Sequence, residues 1–388
     1  MLIDSTPIQD VQLEFRPYLD WRLRIERRLD RDFFQSAPDD RSDIIWRWRP
    51  GVEWKFGKKW SGEVQYQLAT DSIRTQTSDT SDDLSDVNLA FIRYKEGKFE
   101  VTAGRQKINI GSERLIGSLE WTTAGRAFDG VRVKVGPWDA FAAKVGVGFP
   151  KPGRARFAGA TYRSPLGLSQ LFFKHDGGSP DTDVWTFAQT YEKKAGKWHF
   201  ETEDAVQFGH SGGKDLRAWA VHGSLNYQVD PKTKLTLEAN AASGGGNANK
   251  TYTFDNLSPS NHKFYGSMDM QSWRNMEELA LAVDHKFNPK WSGRLSWRTL
   301  SLRDPSDAWY GAGGGVNRGG LGPFVDPTGG SGRDLGREID LELTYKHSAN
   351  ITAFAGVGLF SPGSFVRARN GGQADQQKWG YLMLQMRF

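Results

Sequence analysis

The sequence predicts an all-β chain: a transmembrane antiparallel β-barrel of about eighteen strands. Three observations carry that prediction. Apolar and polar residues alternate with period two over runs far longer than the roughly five or six residues usual for soluble strands. Short turns alternate strictly with long, polar, Gly-rich loops. The chain then ends on an amphipathic strand with a terminal aromatic, Phe388. No stretch approaches the roughly 18–20 consecutive apolar residues of a membrane helix. Any crossing must therefore be made by strands, which turn only every second side chain to lipid.

The first segment sets the pattern. From Val11 the odd positions read Val11, Leu13, Phe15, Pro17, Leu19, Trp21, Leu23 and Ile25, while the even ones read Gln12, Glu14, Arg16, Tyr18, Asp20, Arg22, Arg24 and Glu26. A helix would scatter those apolar residues around its circumference, whereas a membrane-spanning strand needs about 9–11 residues of this alternation. The second segment repeats it: Ile44, Trp46, Trp48, Val52, Trp54 and Phe56 face one way, Arg47, Arg49, Glu53 and Lys55 the other. Gly57-Lys58-Lys59 turns the chain, and Trp60, Val64, Tyr66 and Leu68 return against Glu63, Gln65 and Gln67, which completes a hairpin.

Further tight turns are predicted at 96–97, 136–137, 164–167, 195–196, 230–232, 288–290 and 348–350, each marked by Gly, Pro or Asn. Longer loops fall at 30–41, 71–83, 111–126, 149–153, 176–182, 209–214, 244–272, 304–334 and 361–376. Eight turns alternating with nine loops require eighteen strands. An even count puts both termini beside the short turns, which are periplasmic in outer-membrane barrels, with the long loops extracellular. The whole chain, 1–388, reads as one domain. In 87–94 and 99–110 the two phases compete, so the directions of Arg93 and Arg105 stay open, and Asp204 and His285 fall on the outward phase.

Composition agrees. The chain has 15 Trp, 11 Tyr and 23 Phe, which suits interfacial girdles, 44 Gly suited to turns and loops, and no cysteine, which excludes a disulfide-stapled domain. The start, Met1-Leu2-Ile3-Asp4, lacks a basic and apolar leader and reads as a mature chain. The net charge of +5 is spread along alternating segments rather than clustered as a nucleic-acid patch would be. These features predict the bacterial outer membrane, with lipid and lipopolysaccharide as surroundings and no nucleic-acid partner.

The inward phase would carry the function. On the first nine strands it reads Arg16, Arg22, Arg24, Arg47, Arg49, Lys55, Arg132, Lys134, Lys144, Arg154, Arg156 and Lys174, with fewer acids. On strands eleven to sixteen it reverses, with Glu201, Glu203, Glu238, Glu278, Asp284, Glu338, Asp340 and Glu342 against Arg294, Arg298 and Lys346. Closure would set an Arg-rich wall opposite an acid-rich one. Cations in a constriction concentrate anions, and the Arg fork suits carboxylates; facing charges can equally just neutralise one another and stiffen the wall. The cluster Arg16, Arg22, Arg24, Arg47 and Arg49 on two adjacent strands favours selectivity.

Catalytic patterns are missing from the sequence. The seven His are scattered without a zinc-protease motif, the Gly-rich runs at 244–246 and 311–315 lack a phosphate-loop Lys-Ser/Thr, and there is no nucleophile elbow. The chain is accordingly read as no enzyme, with no cofactor and no metal site, although the acidic loop Asp79 to Asp86 could hold divalent cations. A soluble β-rich carbohydrate-active enzyme is the remaining alternative of that class.

Several blocks carry a family resemblance. Gly104-Arg105-Gln106-Lys107 and 127–132 (Ala-Phe-Asp-Gly-Val-Arg), then Asn275-Met276, 295–298 (Leu-Ser-Trp-Arg), 307–310 (Asp-Ala-Trp-Tyr), 336–341 (Gly-Arg-Glu-Ile-Asp-Leu), Thr344-Tyr345-Lys346 and the run from Gly356 to Phe365 resemble the alginate-export family of Gram-negative outer-membrane channels. The resemblance runs from about Arg93 onward. It implies an eighteen-stranded monomeric barrel with an Arg-lined constriction, and it implies that Arg105 and Arg298 line the pore. This chain departs from the family at Asn88, where an arginine of the constriction is expected, and the family's gating loops are not recognisable.

The expectation is a passive channel preferring anionic solutes, including acidic polysaccharide of the alginate type, with Arg16, Arg22, Arg24, Arg47, Arg49, Arg105, Arg132, Arg298, Glu338 and Asp340 lining the pore. The alternatives are a general small-molecule porin, or a scaffold barrel plugged by loops 244–272 and 304–334 that holds a partner. A periplasmic partner is expected by family analogy alone.

Overall fold

In lipid, an antiparallel sheet with open edges leaves a row of backbone groups unsatisfied, and only closure removes it. The computed structural model, which describes residues 12–34, 39–75, 78–148 and 153–388, closes in this way. The segment Met1-Leu2-Ile3-Asp4, Val11, and parts of the loops at 30–41, 71–83 and 149–153 lie outside the described residues.

Eighteen strands form the wall. The first nine are β1 (Leu13–Leu29), β2 (Arg41–Phe56), β3 (Trp60–Thr75), β4 (Asp79–Glu96), β5 (Phe99–Gln106), β6 (Ala127–Val135), β7 (Trp138–Val147), β8 (Arg156–Ser164) and β9 (Gly167–Asp176). The second nine are β10 (Thr182–Ala195), β11 (Trp198–Ser211), β12 (Lys214–Asp230), β13 (Thr233–Ala242), β14 (Met276–Lys286), β15 (Trp291–Ser301), β16 (Asp334–Lys346), β17 (Ile351–Pro362) and β18 (Gln377–Arg387). Each pairs antiparallel with its neighbours, and β18 returns to β1 through Trp21↔Met386 and Ile25↔Leu382. All eight predicted turns join strands. Within the loops expected at 71–83 and 209–214 the strands extend further, β3 to Thr75 and β4 from Asp79, β11 to Ser211 and β12 from Lys214.

The aromatic residues mark the membrane boundary. Beside four of the short turns an outward Trp packs on a cross-strand Tyr: Trp60–Tyr94 at 4.9 Å, Trp138–Tyr162 at 4.7 Å, Trp198–Tyr227 at 4.5 Å and Trp291–Tyr345 at 4.7 Å between ring centroids. Amphipathic rings favour the headgroup level, so these pairs form the periplasmic girdle. Above them the outward positions are exposed Leu, Val and Phe, such as Leu237, Leu281 and Leu295. Replacing Leu281 with arginine at mid-strand of β14 is expected to reduce folding stability in micelles by about 2–4 kcal/mol, measured by reversible denaturant titration.

The competing phases in β4 have a local cause. The register slips between Gln65↔Leu89 and Tyr66↔Val87, which leaves Asn88 as the extra residue of a bulge. Asn88 is buried and donates from its amide to Gln65, so the position where the resemblance led us to expect an arginine belongs to a neutral wall network. The slip restores the inward phase to Arg93, which bonds Thr102 and pairs with Glu100.

Candidate functional site

The waist of the barrel is occupied by its own loops. Residues 107–126, which connect β5 to β6, and residues 243–275, which connect β13 to β14, pack their apolar side chains into the lumen. Ile108, Ile110, Leu115 and Ile116 from one loop join Phe254, Tyr265 and Trp273 from the other in a single buried cluster with Phe128, Phe141, Phe157 and Phe172 of the wall. Residues 302–333 cover the extracellular end, where Trp309 and Phe324 pack on Phe33 and Phe360. Of the two loops expected as a plug, 244–272 therefore fills the lumen, 304–334 lies over the rim, and the second filler is 107–126.

Two walls of opposite charge hold these loops. On the cationic wall, β1 and β2 place Arg22, Arg24, Arg47 and Arg49 on adjacent inward positions, with Arg22↔Arg47 as direct partners. All four are buried. Their guanidinium groups are turned to the loop. Arg22 donates to the carbonyls of Glu120 and Thr122, each at 2.7 Å, Arg24 to Trp121 O at 2.5 Å, and Arg49 to Ala124 O at 2.5 Å. The Glu120 carboxylate completes the grip, 2.7 Å from Arg49, 3.3 Å from Arg47 and 2.7 Å from Lys107. Burial alone would raise the Glu120 carboxyl, but Arg49, Arg47 and Lys107 hold it well below the usual carboxylate range. Next to it Trp121 lies under the Arg24 guanidinium at 3.8 Å and stacks on His262 of the other loop at 3.7 Å.

The acidic wall works with the opposite sign. Arg114, from loop 107–126, reaches Glu238 on β13 at 3.1 Å, Glu203 on β11 at 3.8 Å and the His222 ring on β12 at 3.1 Å, with its guanidinium 4.0 Å over the Phe264 ring. Glu338 and Asp340 on β16 accept the backbone N–H groups of Met268 and Ser267 at 3.1 and 3.4 Å. Gly266 has φ +102°, and a Cβ there would stand 2.2 Å from a Glu338 oxygen, so glycine lets the loop seat on that carboxylate. Arg298 on β15 bridges Glu278 at 3.2 Å and Asp340 at 3.7 Å.

The remaining expected residues divide. Arg132 faces inward near the periplasmic end, bidentate to Asp139 at 2.8 and 2.5 Å, beside a cavity of about 370 Å³. Arg16 stands 73% exposed in the periplasmic vestibule, 3.8 Å from Glu53. Its cavity of about 400 Å³ also includes Lys55, Glu63 and Arg93. A larger one of about 630 Å³, lined by Lys234, Asp284, Arg294, Glu342, Phe354 and Tyr381, opens at the same end.

Arg105 requires a correction: it shares the outward phase of β5 with Ala103 and clamps Asp129 at 2.6 and 3.1 Å at the rim. Lys144 and Arg156 also face outward, because Phe141, Ala143, Val145 and Phe157 take the inward positions against the loops. Where loops fill a lumen the inner wall is apolar, and the rule that polar means inward reverses.

Arg114, Glu120, Trp121 and His262 were missed. For the first three the signal was the apolar content of 107–121, too high for an extracellular loop left in water. One polar group was also missed: Glu192, His199 and Glu201 lie inward at the periplasmic end with ligand atoms within 4.8 Å of one another, a set that can hold a metal, although Lys194 pairs with Glu192 at 2.9 Å.

Comparison with known proteins agrees with the architecture. The family profile described as "Alginate export" matches residues 16–145 and 173–379. No curated protein matches the chain in sequence. Among solved structures, the barrel resembles three from Pseudomonas aeruginosa. OccK5 (OpdH) is 10% identical with a TM-score of 0.64, OccK2 (OpdF) in complex with glucuronate 13% and 0.62, and OpdK with vanillate 11% and 0.64. In each case the alignment covers 97% of this chain and 98% of the other. At these identities the likeness is one of fold.

Proposed function

The chain belongs to the alginate-export family, and on that premise we propose that this outer-membrane channel passes anionic solutes, carboxylates above all, with acidic polysaccharide of the alginate type among them. The observation that carries this reading is the grip of Arg47, Arg49 and Lys107 on the Glu120 carboxylate. The planar guanidinium fork matches a carboxylate, and the site is already built around one. Two barrels of the same fold hold glucuronate and vanillate, both carboxylates, which supports the class of solute. In this reading the barrel works as a monomer, the short-turn end is where a periplasmic partner would dock, and no chemistry is performed on the cargo.

The test is a reversal potential across a planar bilayer under a salt gradient. Anion preference is expected; a cation-selective wild type would overturn the reading. Neutralising Arg16, Arg24 and Arg47 together is expected to shift the potential toward cations. Arg24 and Arg47 also hold the loop, so Arg16→Gln alone, in the open vestibule, separates selectivity from plugging. It is expected to give a smaller shift of the same sign at unchanged conductance.

A second reading rests on the filled waist: a scaffold barrel that holds a partner rather than passing solute. Negligible conductance together with a stably bound partner would favour it. Measurable conductance with no ion preference would instead indicate a general small-molecule porin.

A further inference from the structure

On the lipid-facing side, register partners on β5 to β12 line up a row of charged residues at the extracellular rim of the wall. Most of the row pairs off. Arg105 binds Asp129 at 2.6 Å, His175 meets Asp183 at 2.7 Å, and His210 meets Asp215 at 3.3 Å. Between the first two pairs stand Lys144 on β7 and Arg156 on β8, directly opposite one another; their other ladder neighbours, Asp129 and His175, are already engaged by Arg105 and Asp183. Both are exposed, and neither has an ion-pair partner among the described residues. Like charges directly opposite on a ladder destabilise it.

The surface below the pair is unusual for this barrel. Beneath Lys144 and Arg156 the next two outward ladder positions are Ala142↔Ala158 and Ala140↔Ala160, followed by the Trp138–Tyr162 pair of the periplasmic girdle. The flanking outward residues are larger, Val131 and Val133 on β6 and Leu171 and Phe173 on β9. The four alanines therefore form a furrow running down the wall from the two cations. Arg156 is the first residue of β8 and Lys144 lies in the extracellular half of β7, three residues before its end, so their long side chains can extend up toward the outer-leaflet headgroups.

We propose that Lys144 and Arg156 bind a phosphate of a lipopolysaccharide molecule of the outer leaflet, with one of its acyl chains lying in the alanine furrow. Charge complementarity selects this occupant: a glycolipid phosphate bridges two cations, and its anionic head stands at the height the cations occupy. The apolar furrow continues in the direction an acyl chain takes from that head.

The test uses the full-length barrel, purified in detergent and delipidated, with three probes measured by native mass spectrometry: lipopolysaccharide, phosphatidylglycerol and inorganic phosphate. Wild type is expected to retain one lipopolysaccharide at least about tenfold more tightly than phosphatidylglycerol. The variant Lys144→Gln/Arg156→Gln is expected to lose about tenfold in that affinity. Ala158→Trp, which obstructs the furrow with both charges intact, is expected to lose affinity as well. Lys193→Gln/Lys194→Gln, at the opposite end of the wall, is expected to match wild type. Heat-modifiable gel migration checks that each variant is folded. Unchanged lipopolysaccharide binding by the double variant, equal retention of phosphatidylglycerol, competition by inorganic phosphate alone, or an equal loss in the control variant would each overturn the proposal.

Discussion

Replacing Glu120 with glutamine is expected to release loop 107–126 from the cationic wall and to raise single-channel conductance several-fold. The carboxylate is the one group that Arg47, Arg49 and Lys107 share, and the two arginines are only 2% and 1% exposed. Without it, buried cations face one another uncompensated, a situation that costs far more than an exposed pair gains. Charge-assisted hydrogen bonds contribute about 1.5–3 kcal/mol each, so losing even one net bond shifts the docked-to-undocked ratio by at least about tenfold. Conductance unchanged from wild type would show that the backbone carbonyls alone hold the loop. The pH dependence has a definite sign. Because the Glu120 carboxyl is held well below its ordinary value, its contribution to docking is full above about pH 4.3, the value for free glutamate. It falls away only as the pH drops through the depressed value. The loop is thus expected to stay docked through mild acid, and conductance measured from about pH 7 to about pH 5 should stay level.

Arg114→Ala is expected to be the most destabilising single change in the lumen. Arg114 is buried and answers two carboxylates, Glu238 and Glu203, on different strands. Burial alone would lower its guanidinium, but the neighbouring Tyr265, Glu238 and Glu203 hold it above its ordinary value. Removing one partner from a buried ion pair costs roughly 3–5 kcal/mol, because the remaining charges keep their desolvation penalty. The expected readout is a lower unfolding temperature in heat-modifiability gels, with a larger drop than for Arg114→Lys, which keeps the charge but loses the fork. A drop no larger than that of an exposed control such as Lys193→Gln would contradict this assignment.

The wall was legible in the sequence, and the lumen was not. Alternation, Gly and Pro turns and the terminal strand are local signals, and they located each of the eighteen strands. The interior depends on where loops go, which is a matter of contacts far apart in the chain. Arg22 meets Thr122, and Arg28 meets Met268. The phase argument assumed a wet lumen throughout, so it pointed correctly at Arg22, Arg24, Arg47 and Arg49 beside a polar loop backbone. It pointed the wrong way at Lys144 and Arg156, where Phe141 and Phe157 pack against apolar loop residues. Arg105 misled for a different reason: its phase was open in the sequence and the family resemblance alone implied the pore, whereas β5 runs without a register shift and keeps Arg105 on the outward phase of Phe99, Val101 and Ala103.

Trp121 has a second consequence, for the way the cylinder is completed. Its ring lies against Arg24 on the first strand and 5.0 and 6.3 Å from Tyr381 and Trp379 on the last. The docked loop therefore bridges the seam where the two ends of the chain meet, like a stitch set from inside. Trp121 can make both sets of contacts only once β18 has come round to β1, so filling the interior and fastening the seam reinforce each other thermodynamically. A solute that lifts the loop would also loosen the join, and a barrel with its loop released should open at that join first.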